Sequence, residues 1–119
     1  MGTIMHELGI AQNILDIVQQ NVPDGQGAAV RRIRVRIGQL SGVIPDSLKF
    51  CFSALLSDTE MNQADLVMET IPTVSRCRDC LHRFEVEDFV FSCPSCDGVN
   101  LDLISGKELE IVNIELADD

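Results

Sequence analysis

The 119-residue sequence has no tryptophan and no tyrosine, so any aromatic packing depends on five phenylalanines. Its apolar stretches, around residues 50–56 and 112–116, are far shorter than the ~20 residues that a membrane helix needs. The first residues also lack the basic start and apolar run of a secretion signal. We therefore expect a cytoplasmic protein that does not cross a membrane.

Basic residues are scarce: nine lysines and arginines stand against nineteen acidic residues, giving a formal charge of −10. This charge opposes binding to nucleic acid or to anionic lipid, because both present dense negative charge. Four of the basic residues nevertheless cluster, at Arg31, Arg32, Arg34 and Arg36. The pattern favours a solvated strand face paired with nearby acids over the alternative, a docking stripe for an acidic protein.

Recognisable catalytic patterns are also missing. The glycines never form a phosphate-binding loop, and no nucleophile or acid/base pair is visible. His6 and Glu7 do not begin a zinc-protease motif, because Ile10 stands where the second histidine would be. Cys51 lies between two phenylalanines with no histidine near it in sequence, which predicts a buried apolar residue rather than a nucleophile. The sequence therefore predicts a protein that is not an enzyme.

The hydrophobic periodicity alternates between helix and strand. Residues 8–18 carry a broad apolar stripe at helical spacing, which predicts a first helix opened by His6. Pro45 and Asp46 begin a second helical pattern. Strand-like alternation occurs in "RRIRVRIGQL" and in "ADLVMETIPTV", where Pro72 marks an end or an edge. It also occurs in "KELEIVNIEL", where the alternation slips in phase, which a bulge or burial on both faces would explain.

These elements predict an α+β fold: a small three-stranded sheet covered by two helices, with an inserted zinc-ribbon-like module. We place the α/β domain at residues 1–74 and 105–119, and the module at residues 75–104. Within the module, "FEVEDFVF" has strand-like spacing that would bring its two ends together.

The module contains two C-x-x-C pairs separated by twelve residues: Cys77, Cys80, Cys93 and Cys96. Two short turns of this kind can converge four thiolates on a tetrahedral Zn²⁺, and four protein ligands leave no position open for substrate. Such a zinc is structural and supplies folding energy. Two alternatives remain for these cysteines: a rubredoxin-like iron site, which uses the same four thiolates, and a thioredoxin-like redox pair. His82 is interpreted as an exposed polar residue rather than a fifth ligand.

Four segments together resemble the HypA/HybF family: "MHELGIAQNILDIV", "RVRIGQLSGVIPDSLKFCF", "CRDC" with "CPSC", and "SGKELEIVNIEL". This family comprises the nickel-insertion accessory proteins of [NiFe]-hydrogenase maturation. The resemblance implies a metallochaperone that takes Ni(II) as cargo and delivers it, with a HypB-like GTPase, to the hydrogenase large subunit precursor. Relatives also serve urease, and the resemblance leaves monomeric and homodimeric states open.

In the resembled family the Met-His-Glu start is the nickel site, which here implies the imidazole of His6 with the backbone nitrogens of His6 and Glu7. Nickel favours nitrogen-rich tetragonal sites, and adjacent amides form fused chelate rings. Asp46 would add an oxygen ligand if it lies beside the start of the first helix. Unlike typical members, this sequence has "MGTI" before Met5, which separates His6 from a terminal amine at Met1. A start at Met5 would restore that amine. The alternative function is a zinc-ribbon adaptor without nickel transfer.

Overall fold

The computed structural model describes residues 3–117, with side chains from His6 onward. It contains two α-helices, α1 (Thr3–Asn21) and α2 (Pro45–Leu56), and two short 3-10 helices at Gly27–Ala29 and Gln39–Ser41. The second helix begins at the predicted proline. The first contains the predicted stripe but begins at Thr3 instead of at His6, because nothing between Thr3 and His6 breaks a helix.

Six strands follow one another as β1 (Val30–Gly38), β2 (Asp65–Ile71), β3 (Val74–Cys77), β4 (Arg83–Glu85), β5 (Leu101–Ser105) and β6 (Leu109–Leu116). They form two three-stranded sheets, with the orders β2-β1-β6 and β4-β3-β5. In the second sheet, β3 pairs antiparallel with both neighbours. The fold is thus the predicted α+β arrangement, with the zinc-ribbon-like module containing a small sheet of its own.

The chain divides into two compact units. Within the described residues, the first comprises residues up to Arg36, residues 43–69 and those from Glu110 onward, and the second comprises residues 37–42 and 70–109. In the first unit α1 packs against α2. The core side chains exposed by 1% or less there are Ala11, Val18, Val30, Ile33, Val35, Leu48, Phe52 and Leu56. Burying a large apolar side chain contributes about 1.5–3 kcal/mol, so this core is the main source of the unit's stability.

The arginine row of β1 is a solvated strand face, as predicted. Ile33 and Val35 are buried while the arginines between and beside them are exposed. Arg32 and Arg34 donate to Glu115 over 3.0 and 2.6 Å, and Arg36 donates to Glu69 over 3.4 Å. Hydrogen bonds from Arg34 and then from Arg32 lower the pKa of the Glu115 carboxyl. Three of the four arginines of β1 therefore pair with carboxylates of their own unit.

Two predictions about strands need correction. The segment "FEVEDFVF" does not form one strand, because β4 ends at Glu85, and Asp88 and Phe89 have left-handed φ angles of 52° and 59° that turn the chain. The other concerns β6, whose phase slip suggested a bulge or burial on both faces. No residue of β6 is buried, so burial on both faces does not explain its irregular apolar pattern.

No helix among the described residues is long and apolar enough to span a membrane. Cys51 is 3% exposed within α2, which agrees with its predicted role as a buried apolar residue.

Candidate metal centres

Each cysteine pair lies on the same kind of turn. In the first, the carbonyl of Cys77 accepts the N–H of Leu81 over 2.9 Å; in the second, the carbonyl of Cys93 accepts the N–H of Asp97 over 2.8 Å. Leu81 and Asp97 both adopt left-handed φ angles, 67° and 60°. Such angles cost energy for residues other than glycine, so each turn is stabilised by the structure around it.

In each pair, the first cysteine also donates its backbone N–H to a carbonyl just beyond the turn. Cys77 donates to the carbonyl of His82, and Cys93 donates to the carbonyl of Gly98, both over 2.8 Å. The N–H of Ser95 points at the sulfur of Cys93, 3.4 Å away. Backbone donors aimed at sulfur favour the thiolate, which is the form that binds metal.

The four sulfurs converge. The Sγ atoms of Cys77 and Cys96 are 3.6 Å apart, those of Cys80 and Cys93 are 3.5 Å apart, and all four lie within 4.8 Å of one another. These distances exceed the ~2.05 Å of a disulfide and resemble the ~3.8 Å expected between sulfurs at tetrahedral positions ~2.3 Å from a zinc ion. The donor set fits a tetrahedral thiophilic metal such as zinc or iron.

Gly98 lines the same cluster closely. A Cβ at this position would lie 3.1 Å from the sulfur of Cys96 and 3.1 Å from a carboxylate oxygen of Asp79. A side chain would therefore crowd the sulfurs, and glycine leaves room for them to surround an ion.

Proximity of the thiols separates their pKa values. Burial raises the pKa of Cys93, but donors from the Ser95 and Cys96 backbones and from neighbouring thiols outweigh it and lower the pKa to about 7. At Cys96 a backbone hydrogen bond from Gly98 lowers the pKa, but hydrogen bonding to Cys77, burial and the other thiols raise it to about 12. The first thiolate thus forms readily and opposes the next, and a cation is what would hold all four deprotonated.

His82 lies outside this group. Its ring is stacked on Phe84, with centroids 5.9 Å apart and an interplanar angle of 13°, and the residue is exposed. Among residues 3–117, the four cysteines are the one group of three or more potential ligands whose donor atoms converge.

The predicted nickel residues lie on the first turns of α1 and differ sharply in exposure. The His6 side chain is 55% exposed, whereas that of Glu7 is completely buried. One carboxylate oxygen of Glu7 accepts the N–H of Ile44, the N-cap residue of α2, over 2.9 Å. The same oxygen is 3.7 Å from Nδ1 of His6. The other oxygen is buried without a hydrogen-bond partner.

Glu7 therefore connects the two helices. Ile44 has no side chain that can cap α2, so the carboxylate from α1 accepts a backbone N–H at the start of α2 that the helix itself does not pair. Negative charge at a helix N-terminus is also favourable. Sequence reasoning identified Glu7 as a ligand residue but missed this contact, for which the one signal was an apolar residue at the N-cap before Pro45.

The backbone amides of His6 and Glu7 lie inside the helix, since α1 begins at Thr3. In an α-helix each N–H is directed at the carbonyl four residues earlier, which for Glu7 is that of Thr3. Asp46 lies exposed in the first turn of α2 and does not form a three-ligand cluster with His6 and Glu7.

Comparison with known proteins gives a consistent match. A family model described as HypA, hydrogenase/urease nickel incorporation, metallochaperone, matches residues 5–116. The chain belongs to the HypA family. The match begins at Met5, so it includes the Met-His-Glu segment, both cysteine pairs and β6. The HypA description is that of a metallochaperone, not of an enzyme.

Individual HypA proteins align over nearly the whole chain. The hydrogenase maturation factor HypA of Desulfosudis oleivorans is 42% identical over 113 residues, covering 94% of this chain and 98% of its own. That of Trichormus variabilis is 43% identical over 112 residues, covering 94% and 96%. These identities relate the chain to hydrogenase maturation factors.

Two solved structures share the fold. The solution structure of the Ni metallochaperone HypA from Helicobacter pylori has a TM-score of 0.63 at 18% identity and covers 95% of this chain and 98% of its own. A second solution structure of a HypA protein has a TM-score of 0.67 at 20% identity, covering 94% and 96%. The HypA fold is thus retained where most residues differ.

Proposed function

We propose that this protein binds Ni(II) weakly at the start of α1 and delivers it to the large subunit precursor of a [NiFe]-hydrogenase. The observation that carries the proposal is the exposed imidazole of His6 beside the buried carboxylate of Glu7. The carboxylate anchors the backbone one residue after the ligand, while the imidazole stays accessible to metal. An accessible site on an anchored segment suits a carrier that must release its cargo.

The ligands are the imidazole of His6 and the backbone nitrogens of His6 and Glu7. Nickel prefers such nitrogen-rich tetragonal sets. An amide nitrogen that binds nickel loses its proton and cannot remain a helical donor. Nickel binding at both amides therefore requires the first turn of α1 to open as far as Glu7, whose side chain is held by its hydrogen bond to Ile44. The free energy of opening that turn weakens nickel affinity and helps later release.

The four cysteines hold a structural zinc. Bound there, zinc supplies folding free energy to the second unit, whose small sheet has few large buried side chains beyond the cysteines themselves. Four protein ligands close its coordination sphere, so this ion is not the transported one.

The partners are a HypB-like GTPase, which supplies the nucleotide hydrolysis that this chain has no motif for, and the hydrogenase precursor, in the cytoplasm. Urease is a second client of the same chemistry, since the family description includes it. Catalysis, nucleic acid and membranes have no part in this function.

Metal titration tests the assignment. The chain has only two histidines, so His82→Ala is a matched control for His6→Ala. We expect about one tightly held zinc per chain in every variant, and a weaker nickel site that is lost in His6→Ala and retained in His82→Ala. Unchanged nickel affinity in His6→Ala would refute the site.

The same samples separate two alternatives. A zinc-ribbon adaptor predicts that zinc binds and nickel does not, and that hydrogenase maturation continues with His6→Ala. A rubredoxin-like protein predicts purified material coloured by an iron–thiolate centre.

A further inference from the structure

Two arginines stand directly opposite each other on the small sheet of the second unit. Arg76 on β3 is the register partner of Arg83 on β4, and both are exposed. Opposite residues of an antiparallel pair project from the same face with Cβ atoms ~4.5–5.5 Å apart. Like charges at this separation oppose strand pairing, so stability alone does not explain why both positions carry arginine.

Neither arginine has an acidic partner within 4.0 Å in the part of the chain that the structure describes. Asp102 on β5 is the register partner of Arg76, but it is already bound by Arg78. The Nε and Nη2 atoms of Arg78 lie 2.6 and 2.5 Å from the same Asp102 oxygen. That hydrogen bond, followed by the charges of Arg78 and Arg76, lowers the pKa of Asp102.

A shortage of acids does not explain this, since acidic residues outnumber basic ones by nineteen to nine. On β1, by contrast, Arg32 and Arg34 share the carboxylate of Glu115. Glu85 lies on the same face as Arg83, two residues along β4, yet beyond ion-pair distance. The two guanidinium groups of Arg76 and Arg83, which we call the arginine pair, therefore remain available.

We infer that the arginine pair docks a short, extended acidic segment of a partner protein. A guanidinium presents a planar fork that binds a carboxylate through two parallel hydrogen bonds. In an extended segment, side chains two residues apart lie on one face ~6.6–6.8 Å apart, which lets two carboxylates engage two neighbouring forks. This inference is independent of the nickel proposal.

Charge also determines the class of partner. A long polyanion such as nucleic acid, or an anionic membrane, would meet the rest of a protein with formal charge −10 after covering the pair. A short segment with two or three carboxylates meets mainly the charges nearest the pair, because charges more than ~8–10 Å away are screened at moderate salt. Among the nearest acids, Asp102 is already bound by Arg78. The pair thus fits an acidic peptide segment rather than an extended anion.

The test uses the zinc-loaded full chain and a synthetic peptide of four Glu-Thr repeats, with four Lys-Thr repeats as the charge control. At low ionic strength, we expect the acidic peptide to shift amide resonances of residues 74–78 and 83–85, and the basic peptide not to. Arg76→Gln or Arg83→Gln should weaken binding about tenfold or more, since a charged hydrogen bond contributes ~1.5–3 kcal/mol. Arg83→Lys should lie between, because it keeps the charge without the fork.

Arg31→Gln is the matched control, because Arg31 is also exposed and donates to the backbone carbonyls of Ala28 and Val30. It should leave peptide binding unchanged. Thermal unfolding gives a second measurement: Arg83→Gln should keep or raise Tm, since it removes a repulsion, whereas an arginine needed for folding would lower it.

Four results would overturn the inference. The first is absence of peptide binding at low salt, and the second is binding that the two glutamine variants leave intact. The third is a single-stranded oligonucleotide that binds the same residues more tightly than the peptide, which would make the partner a nucleic acid. The fourth is a dimer whose fraction rises with protein concentration and which is absent in Arg83→Gln. The arginine pair would then bind a second copy of this chain and not a partner protein.

Discussion

The strongest test of the nickel site is whether nickel binding opens the first turn of α1, which contains the proposed ligands. If nickel takes the amides of His6 and Glu7, then residue 4, one turn before the ligands in α1, must leave its helical conformation. Alanine and glycine at this position both remove the native side chain, so the difference between them isolates the backbone. In a helix, glycine is less favourable than alanine by ~0.8–1.0 kcal/mol.

That difference predicts a ratio of nickel affinities. Ile4→Gly should bind nickel about four- to fivefold more tightly than Ile4→Ala, because glycine lowers the free energy of opening the turn. Isothermal titration with Ni²⁺ on zinc-loaded protein measures the ratio. This ratio applies to a fully formed turn and is an upper value. Helix ends fray, and in a partly frayed turn glycine and alanine differ less in the free energy of opening.

Gln12 provides the control, as it is exposed on α1 beyond the segment that opens. Its side chain donates to Asp16 over 3.0 Å, and both Gln12→Ala and Gln12→Gly lose that bond equally. The Gln12 pair should differ by about 1 kcal/mol in unfolding free energy and not at all in nickel Kd. Equal nickel affinities for the two Ile4 variants, with nickel still bound through His6, would refute the reasoning that nickel binding opens a formed turn of α1.

Three further predictions concern the stability of α1 and of the second unit. Glu7→Ala should lower the unfolding free energy by about 1–3 kcal/mol in urea titration, because it leaves the Ile44 N–H without its acceptor; Glu7→Gln keeps an acceptor oxygen, and a loss as large as that of alanine would contradict this account. Gly9→Ala should raise stability by about 1 kcal/mol in the same assay, since nothing lies within 4 Å of the added Cβ; destabilisation would show that α1 needs this glycine. Removal of zinc by a chelator should expose the amides of residues 74–105 to hydrogen exchange while α1 and α2 stay protected, and simultaneous loss of protection in both units would refute their separate stabilisation.

Much of the fold could be predicted because its signals are local. The alternation of apolar residues and arginines in β1 predicts one buried and one exposed face, and the structure has both. Pro45 begins α2 since its fixed φ suits the first helical position. The cysteine spacing alone predicted two metal-binding turns, because a C-x-x-C segment is short enough to bring both sulfurs to one side.

Other features depended on residues far apart in the chain. The sequence could not show that the carboxylate of Glu7 reaches the N-terminus of α2, a contact across thirty-seven positions. It also could not show that Arg76 and Arg83 face each other, since that requires the register of β3 against β4. The segment 84–91 has strand-like spacing, yet left-handed angles at Asp88 and Phe89 turn it instead.

The sequence by itself determined the alternation of buried and exposed residues in β1, the start of α2 at Pro45 and the spacing of the four cysteines, because side-chain size, polarity and short-range spacing decide these properties. Tertiary structure alone decided which charges are satisfied. Glu115 neutralises two arginines more than eighty positions away, while Arg76 meets another arginine. Electrostatic partners depend on distance in space, and only the folded chain sets that distance.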